Sequence, residues 1–582
     1  MSGSKVISVL DTEVLAVKGG TTQLADAAAA TGRTCAPSVW GDFFVTYTPP
    51  SPQMSEKWMR EHVDQLKRQV RCKLSKATSM AYTVMLVDVL ERLHIDDHFR
   101  DEITVALQHV LLLHHKEHAD SVAAADLLHL ESLRFRLLRQ HGFLVSADVF
   151  DKFKDSTGCF RESLSTDARG LLSLYNAAHL AMPGEEAALD DAIAFSRRSL
   201  KSLQGKLGSP MAEQVSRALD IPLARAPKLL ETMRYITEYE REEAHDGVVL
   251  ELARLDFELI RPLYLKELKT LSLWWRQLYD SVKLSYARDR LVESYFWSCA
   301  IFHGEKYSRS RIIFTKVFQL MTLMDDTYDI HATLEECYKL NEAMQRWDKS
   351  AVSILPEYLR IFYIKLLNDF DEMEDSLEPD EKYSMSYAKT TFKQMSEYYL
   401  REAQWSSDKY MPSFAEHLDI SLMSSGFPAM APVLLLGVRD SGGAAATTKE
   451  AFEWATSVPV PALVRAGGEL ARFLNDTASY RIGKSGGDMA STVECYMAER
   501  GVGGGEAVAA VAALAERAWR TINGECAAVG TMDAALLPAA RLMVNLARTV
   551  EVIYLGGRDG YTVGGDLKGL VSNLFLDPLP VY

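Results

Sequence analysis

The chain has 582 residues, of which 48% are hydrophobic and 25% charged, and its formal net charge is -15. That length and balance fit a globular protein of two domains with substantial cores, and the acidic excess excludes nucleic acid as the main partner, because phosphate backbones are gripped through Lys and Arg. The seven cysteines are scattered singly with no CxxC pair and read as reduced thiols, while the longest apolar run, Met430 to Val438 with Pro432 inside it, is far short of the roughly 18 residues of a membrane span.

Residues 1–35 read as a flexible N-terminus. The first thirty carry Asp11, Glu13 and Asp26 beside Lys5 and Lys18 and contain no Arg, unlike an Arg-rich, acid-poor transit peptide, so a cytoplasmic location is expected. From about Ser55 onward apolar residues recur at steps of three and four and sustained two-residue alternation is absent, which predicts an all-α chain. The first helical domain is placed at 36–240 and the second at 241–582, divided in the polar stretch Glu238 to Glu243. His114-His115-Lys116-Glu117-His118 lacks the HExxH order of a zinc site and reads as a solvated helix face.

Beyond the divide come the residues that carry chemistry. Tyr286-Ala287-Arg288-Asp289-Arg290 offers two guanidinium groups suited to grip a diphosphate, although a surface salt-bridge role is the simpler reading of that segment alone. Trp297 follows on the next helix. The apolar face of Ile312, Ile313, Val317, Leu320, Met321 and Met324 then leads into Asp325-Asp326-Thr327-Tyr328-Asp329. Asp325 and Asp329 are four apart, so a regular helix puts both on the face that also carries Phe318 and Met321. Two inward acids are costly without cations, and oxygen ligands of this kind suit Mg²⁺, which keeps waters and substrate phosphate oxygens in its shell.

Further along, Asp369 to Glu381 holds many acids but no calcium-loop pattern, and reads as surface. In Arg472-Phe473-Leu474-Asn475-Asp476-Thr477-Ala478-Ser479, Arg472, Asn475 and Ser479 share one helix face, combining two neutral oxygen ligands with a cation. Gly483-Lys484-Ser485 has no preceding strand or phosphate-loop glycine and is not a nucleotide site. The glycine-rich stretches at 441–443, 501–505 and 556–565 read as loops, and the last, with Asp559 and Tyr561 and just after Tyr554, has the make-up of a movable lid. Ring faces at Trp297, Tyr554 and Tyr561 suit a carbocation, at about 0.5–2 kcal/mol per desolvated contact.

Together these segments resemble the plant class I terpene synthase family over nearly the whole chain. Asp325-Asp326-Thr327-Tyr328-Asp329 is similar to its DDxxD metal motif, Arg288-Asp289-Arg290 to its RxR motif, and Asn475-Asp476-Thr477-Ala478-Ser479 to its (N/D)DxxSxxxE motif. The resemblance implies an N-terminal helical domain without chemistry of its own and a C-terminal α-bundle holding three Mg²⁺ ions, with Mn²⁺ as a possible substitute. It implies metal ligation by Asp325, Asp326, Asp329, Asn475 and Ser479, diphosphate contacts from Arg288, Arg290 and Arg472, a floor at Trp297, and roles at the substrate for Tyr554, Tyr561, Asp559 and the helix break Ser424-Ser425-Gly426. Tyr554 is one candidate for the final base and released diphosphate is another.

One position departs from the pattern: Gly483 stands where the second metal motif has a Glu. Water in its place predicts activity with weakened metal affinity. No DxDD sequence occurs in the N-terminal half, where Asp96-Asp97 and Asp190-Asp191 are only pairs, which argues against protonation-initiated cyclisation. The tandem-Arg motif of many plastid monoterpene synthases is also absent, a lone Arg33 preceding Trp40. The expectation is a monomeric sesquiterpene synthase that converts farnesyl diphosphate to a hydrocarbon or alcohol plus diphosphate. The alternatives are a monoterpene synthase using geranyl diphosphate, a prenyl-chain elongating synthase, and a weakly active or non-catalytic helical binding protein.

Overall fold

The computed structural model of the chain describes residues 37–49, 54–113, 127–439, 447–482, 490–533 and 535–577. The all-α expectation holds: helices and short helical turns follow one another, and among the described residues the only extended pairing is one antiparallel bridge between Lys154 and Phe160. No helix is long and apolar enough to cross a membrane among the described residues. His114 to His118 and Gly483 to Ser485 lie outside the described residues.

Helix starts follow local chemistry. The Ser55 hydroxyl accepts the Trp58 N–H at 3.2 Å to open the helix Glu56–Ser75. Asp246 accepts the N–H groups of Val248 and Val249 at 3.0 and 3.4 Å to open Gly247–Val282, and Thr333 and Glu336 form a reciprocal capping box on Leu334–Arg346. Each satisfies donors that a helix cannot pair within itself.

The buried apolar residues form two clusters, which makes two helical domains. One runs from Met59 to Leu255; the other runs from Phe257 to Phe575 and also takes in Trp40, Phe44, Leu229 and Leu230. The changeover lies inside the 36-residue helix Gly247–Val282, which is about 54 Å long at 1.5 Å per residue. A continuous helix joins the halves, so no Pro/Gly/Ser linker marks the divide. Trp40 and Phe44 precede the N-terminal helices yet pack on the C-terminal core, the Phe44 ring lying 6.1 Å from that of Phe575. Arg225 grips Glu516 through two hydrogen bonds of 2.7 and 2.5 Å, and Asn523 donates to the carbonyls of His179 and Ala181, both at 3.0 Å.

The acid-rich stretch from Asp369 to Glu381 is not all surface. Asp369 is buried and accepts the indole N–H of Trp274 at 2.7 Å, and Glu381 is buried against Arg439 at 2.7 Å, while Glu372 and Asp375 stay exposed. The partners of the two buried acids come from distant elements, so composition alone reads the segment as solvated.

Candidate active site

A cavity of about 840 Å³ opens among the C-terminal helices, within the roughly 300–1,000 Å³ usual for small-molecule sites. Its lining includes Arg288, Trp297, Asp325, Asp326, Asp329, Arg472, Asn475, Ser479, Tyr554, Asp559 and Tyr561. Of the site residues expected from the sequence, only Arg290 does not line it.

The helix Ser308–Asp326 supplies Phe318, Met321, Thr322 and Asp325 to the wall. It does not continue regularly through the acidic motif. Residues Thr327–His331 form a π turn, closed by the Ala332 N–H donating to the Thr327 carbonyl at 2.9 Å. The wider turn replaces the regular spacing expected between Asp325 and Asp329, and such turns recur at functional sites. Both carboxylates still face the one cavity.

The three aspartates have different surroundings. Asp326 is 1% exposed and is held by Arg288, whose backbone N–H and Nε–H donate to its Oδ2 at 2.7 and 3.2 Å. Arg288 also donates to Asp325 Oδ2 at 2.6 Å. Burial works against the charge on Arg288, but Asp326 and then Asp325 outweigh it and hold the guanidinium well above its ordinary value. Asp329 has no ion-pair partner among the described residues, and the charge of Arg288 offsets only part of its repulsion. Enclosure by the protein, then the neighbouring carboxylates of Asp325 and Glu402, push its carboxyl well above the usual range. Asp329 is exposed to the cavity, so the repulsion from its neighbours is the firmer of these causes.

Opposite these acids stands the helix Ala462–Ile482. Arg472 donates to the Ser421 carbonyl at 3.2 Å, to Ser424 Oγ at 3.3 Å and to Asn475 Oδ1 at 3.4 Å. Asn475 donates its amide N–H to the Tyr554 hydroxyl at 3.0 Å. Burial, then Asp559, raise the Tyr554 phenol, which keeps it neutral and a donor rather than a ready base. Asp476 also lines the cavity but is buried, and the Thr492 N–H donates to it at 2.6 Å. Gly483 lies outside the described residues.

The aromatic part of the wall is Trp297, Phe318 and Tyr561. The Trp297 ring meets Phe318 edge-on at 4.8 Å and Tyr561 at 5.9 Å, and Phe318 meets Tyr561 at 5.4 Å. The Arg288 guanidinium lies 5.6 Å from the centre of the Tyr561 ring. The helix break comes at Gly426, whose φ of 81° suits glycine, and a side-chain carbon there would sit 3.0 Å from Met321 Cε.

Arg290 is 1% exposed, and its guanidinium donates to the carbonyls of Tyr561 at 2.8 Å and Thr562 at 2.7 Å. Those carbonyls belong to the glycine-rich segment that also carries Asp559, which caps the turn Gly560–Val563 by accepting the N–H groups of Tyr561 and Thr562. Arg290 was expected on the substrate; in the structure it does not line the cavity and is held by this glycine-rich segment.

Sequence reasoning missed Glu402 and Tyr399 on the helix Met385–Asp408, both buried and both lining the cavity. Ser424 Oγ donates to Glu402 at 2.6 Å, and burial raises the Glu402 carboxyl against the pull of Arg472. Their three-residue spacing is the only signal in the sequence, and it is common on any helix.

The donor set fits Mg²⁺. Asp325, Asp329 and Glu402 offer hard carboxylate oxygens, Asn475 and Ser479 neutral ones, and the like-charged acids around Asp329 call for a cation. Among the described residues no three acidic, His or Cys side chains converge on one metal position by themselves, as expected where water and phosphate oxygens complete the shell.

The sequence matches the family model for the terpene synthase metal-binding domain over residues 276–521 and that for the terpene synthase N-terminal domain over residues 39–219. The chain belongs to the terpene synthase family. It is 56% identical over 546 residues to a eudesmanediol synthase of Zea mays, covering 93% of this chain and 95% of that one. It is 40% identical to a tau-cadinol synthase of Zea mays, covering 94% and 97%. Among solved structures, isoprene synthase from grey poplar (Populus x canescens), in complex with three Mg²⁺ ions and dimethylallyl-S-thiolodiphosphate, superposes with a TM-score of 0.81 at 30% identity, covering 90% of this chain and 98% of that one.

Proposed function

We propose that this chain is a sesquiterpene synthase that ionises farnesyl diphosphate and cyclises the resulting carbocation, releasing diphosphate. The observation that carries the reading is one cavity walled by three uncompensated or partly compensated acids, two half-buried arginines and an aromatic cluster. The maize relatives named for sesquiterpene products support the fifteen-carbon substrate.

Asp325, Asp329, Asn475 and Ser479 would hold the Mg²⁺ ions, three as in the poplar complex, with Mn²⁺ as a substitute. Bound there, the metal supplies Lewis-acid stabilisation to the leaving group. Arg288 and Arg472 contribute fixed positive charge where the diphosphate develops its own. The C–O bond breaks with its electron pair leaving on diphosphate. Trp297, Phe318 and Tyr561 then face the carbocation with rings, exclude water from most of its surface and set its fold. Arg290 keeps the lid over the cavity by its two carbonyl contacts. A cytosolic monomer is part of this proposal.

Incubation of the purified protein with Mg²⁺ and, separately, geranyl, farnesyl and geranylgeranyl diphosphates tests it. Gas chromatography with mass spectrometry should find a sesquiterpene from farnesyl diphosphate; no terpene from any of them contradicts it.

A further inference from the structure

An isoprenoid tail has no polar group beyond its diphosphate, yet one face of the aromatic wall carries a buried polar network. The Tyr561 hydroxyl lies 2.8 Å from Thr322 Oγ1 and 3.2 Å from Ser294 Oγ, and accepts the Gln319 amide N–H at 3.3 Å. Gln319 also donates to Ser294 Oγ at 2.6 Å. Gln319 and Ser294 are fully buried behind the wall; Thr322 and Tyr561 belong to the cavity lining. Two buried polar atoms here have no protein partner among the described residues, the Gln319 Oε1 acceptor and the Trp297 Nε1 donor. Atoms so placed are paired as a rule, by water where protein does not serve.

The orientation of the network decides what it can do. Thr322 donates its proton to the Phe318 carbonyl at 3.0 Å, which leaves lone pairs on its oxygen. The Tyr561 phenol, pushed up to about 12 by burial, stays neutral. With its own proton so used, Thr322 Oγ1 accepts the Tyr561 O–H across their 2.8 Å contact and keeps one lone pair, which can accept a proton of a water whose own lone pair is then presented to the cavity. Thr322 precedes Asp325 by three residues, so their Cβ atoms are about 5–6 Å apart, and Arg288 lies over the Tyr561 ring. A water held here is therefore next to the groups assigned to diphosphate.

We propose that Thr322 holds the water that captures the final carbocation, with Tyr561, Gln319 and Ser294 as positioning residues, so that the product is a sesquiterpene alcohol. The water oxygen forms the C–O bond with its lone pair, and the oxonium proton passes to the diphosphate released by ionisation. This rests on the proposed function.

The test runs the full chain with Mg²⁺ and farnesyl diphosphate in heavy-oxygen water, measuring both diphosphate release and product identity. The wild type should give mainly an alcohol carrying the heavy oxygen. Thr322→Val and Gln319→Leu should each lower the ratio of alcohol to hydrocarbon by about three- to ten-fold, the value of one lost hydrogen bond, and Thr322→Ser should restore it. A purely structural role would change stability or total turnover and leave that ratio alone. Should Gln319→Leu fail to fold, the near-isosteric Thr322→Val decides the matter. Diphosphate release with hydrocarbons alone, or an unchanged ratio in Thr322→Val, overturns the water site; no diphosphate release at all overturns the proposed function with it.

Discussion

The Nε–H of Arg290 donates to the backbone carbonyl of Tyr561 at 2.8 Å, across 271 positions of sequence. With the bond to Thr562 at 2.7 Å, it fastens the start of the helix Leu291–Ile301 to the glycine-rich segment that carries an aromatic wall residue. Lysine keeps the charge but cannot span both carbonyls. Arg290→Lys should lower kcat by about ten-fold or more, given the strength of charge-assisted bonds, and should speed tryptic cleavage at Arg558. Steady-state kinetics and limited proteolysis check this, and wild-type values in both would refute it.

Glu293 sits against the same glycine-rich segment. It is fully buried, neither carboxylate oxygen has a hydrogen-bond partner among the described residues, and Oε1 would lie 3.2 Å from a side-chain carbon at Gly564. Burial, outweighing the pull of Arg290 and helped by Asp289, raises its carboxyl from the ordinary 4.5 to about 7. The folded chain therefore holds a proton that the unfolded chain has lost between those values. Stability from this group is fully present below pH 4.5 and is lost as the pH rises through 7. The loss is at most about 3 kcal/mol. Glu293→Gln should leave Tm nearly unchanged at low pH and raise it in alkaline buffer, so the two Tm curves diverge with pH; parallel curves would refute the assignment.

Gly483 stands in the place of the third ligand of the second metal motif. Gly483→Glu should lower the Mg²⁺ concentration for half-maximal rate, by about ten-fold if a full ligand is restored. A titration of rate against Mg²⁺ reads this directly, and an unchanged or higher requirement would sink the explanation.

Much of the site is legible in the chain because its parts are local. Asp325 and Asp329 announce themselves by spacing and by the apolar face that leads to them, and Arg472, Asn475 and Ser479 share one regular helix. What escapes is set by tertiary contact. The π turn at Thr327–His331 breaks the helical period inside the motif itself. Glu402 reaches the acids only because the helix Met385–Asp408 packs beside that turn, and no residue near it in sequence hints at this. Arg290 resembles Arg288 in type and neighbourhood, and the two part ways because one meets carboxylates and the other meets backbone carbonyls from the far end of the chain.

The central claim is that the acids around Asp329 are a cation site built for ionising a diphosphate. Without a divalent ion they repel one another, so Asp329→Asn should raise Tm in metal-free buffer while it removes function, a trade expected where a site is strained for its task. The most direct measurement is Mg²⁺-dependent diphosphate release from farnesyl diphosphate by the wild type and by Asp329→Asn. A fall of about a hundred-fold or more in the variant is predicted, the scale of losing preorganised stabilisation of a leaving charge. Release by the variant within a few-fold of the wild type would contradict the claim.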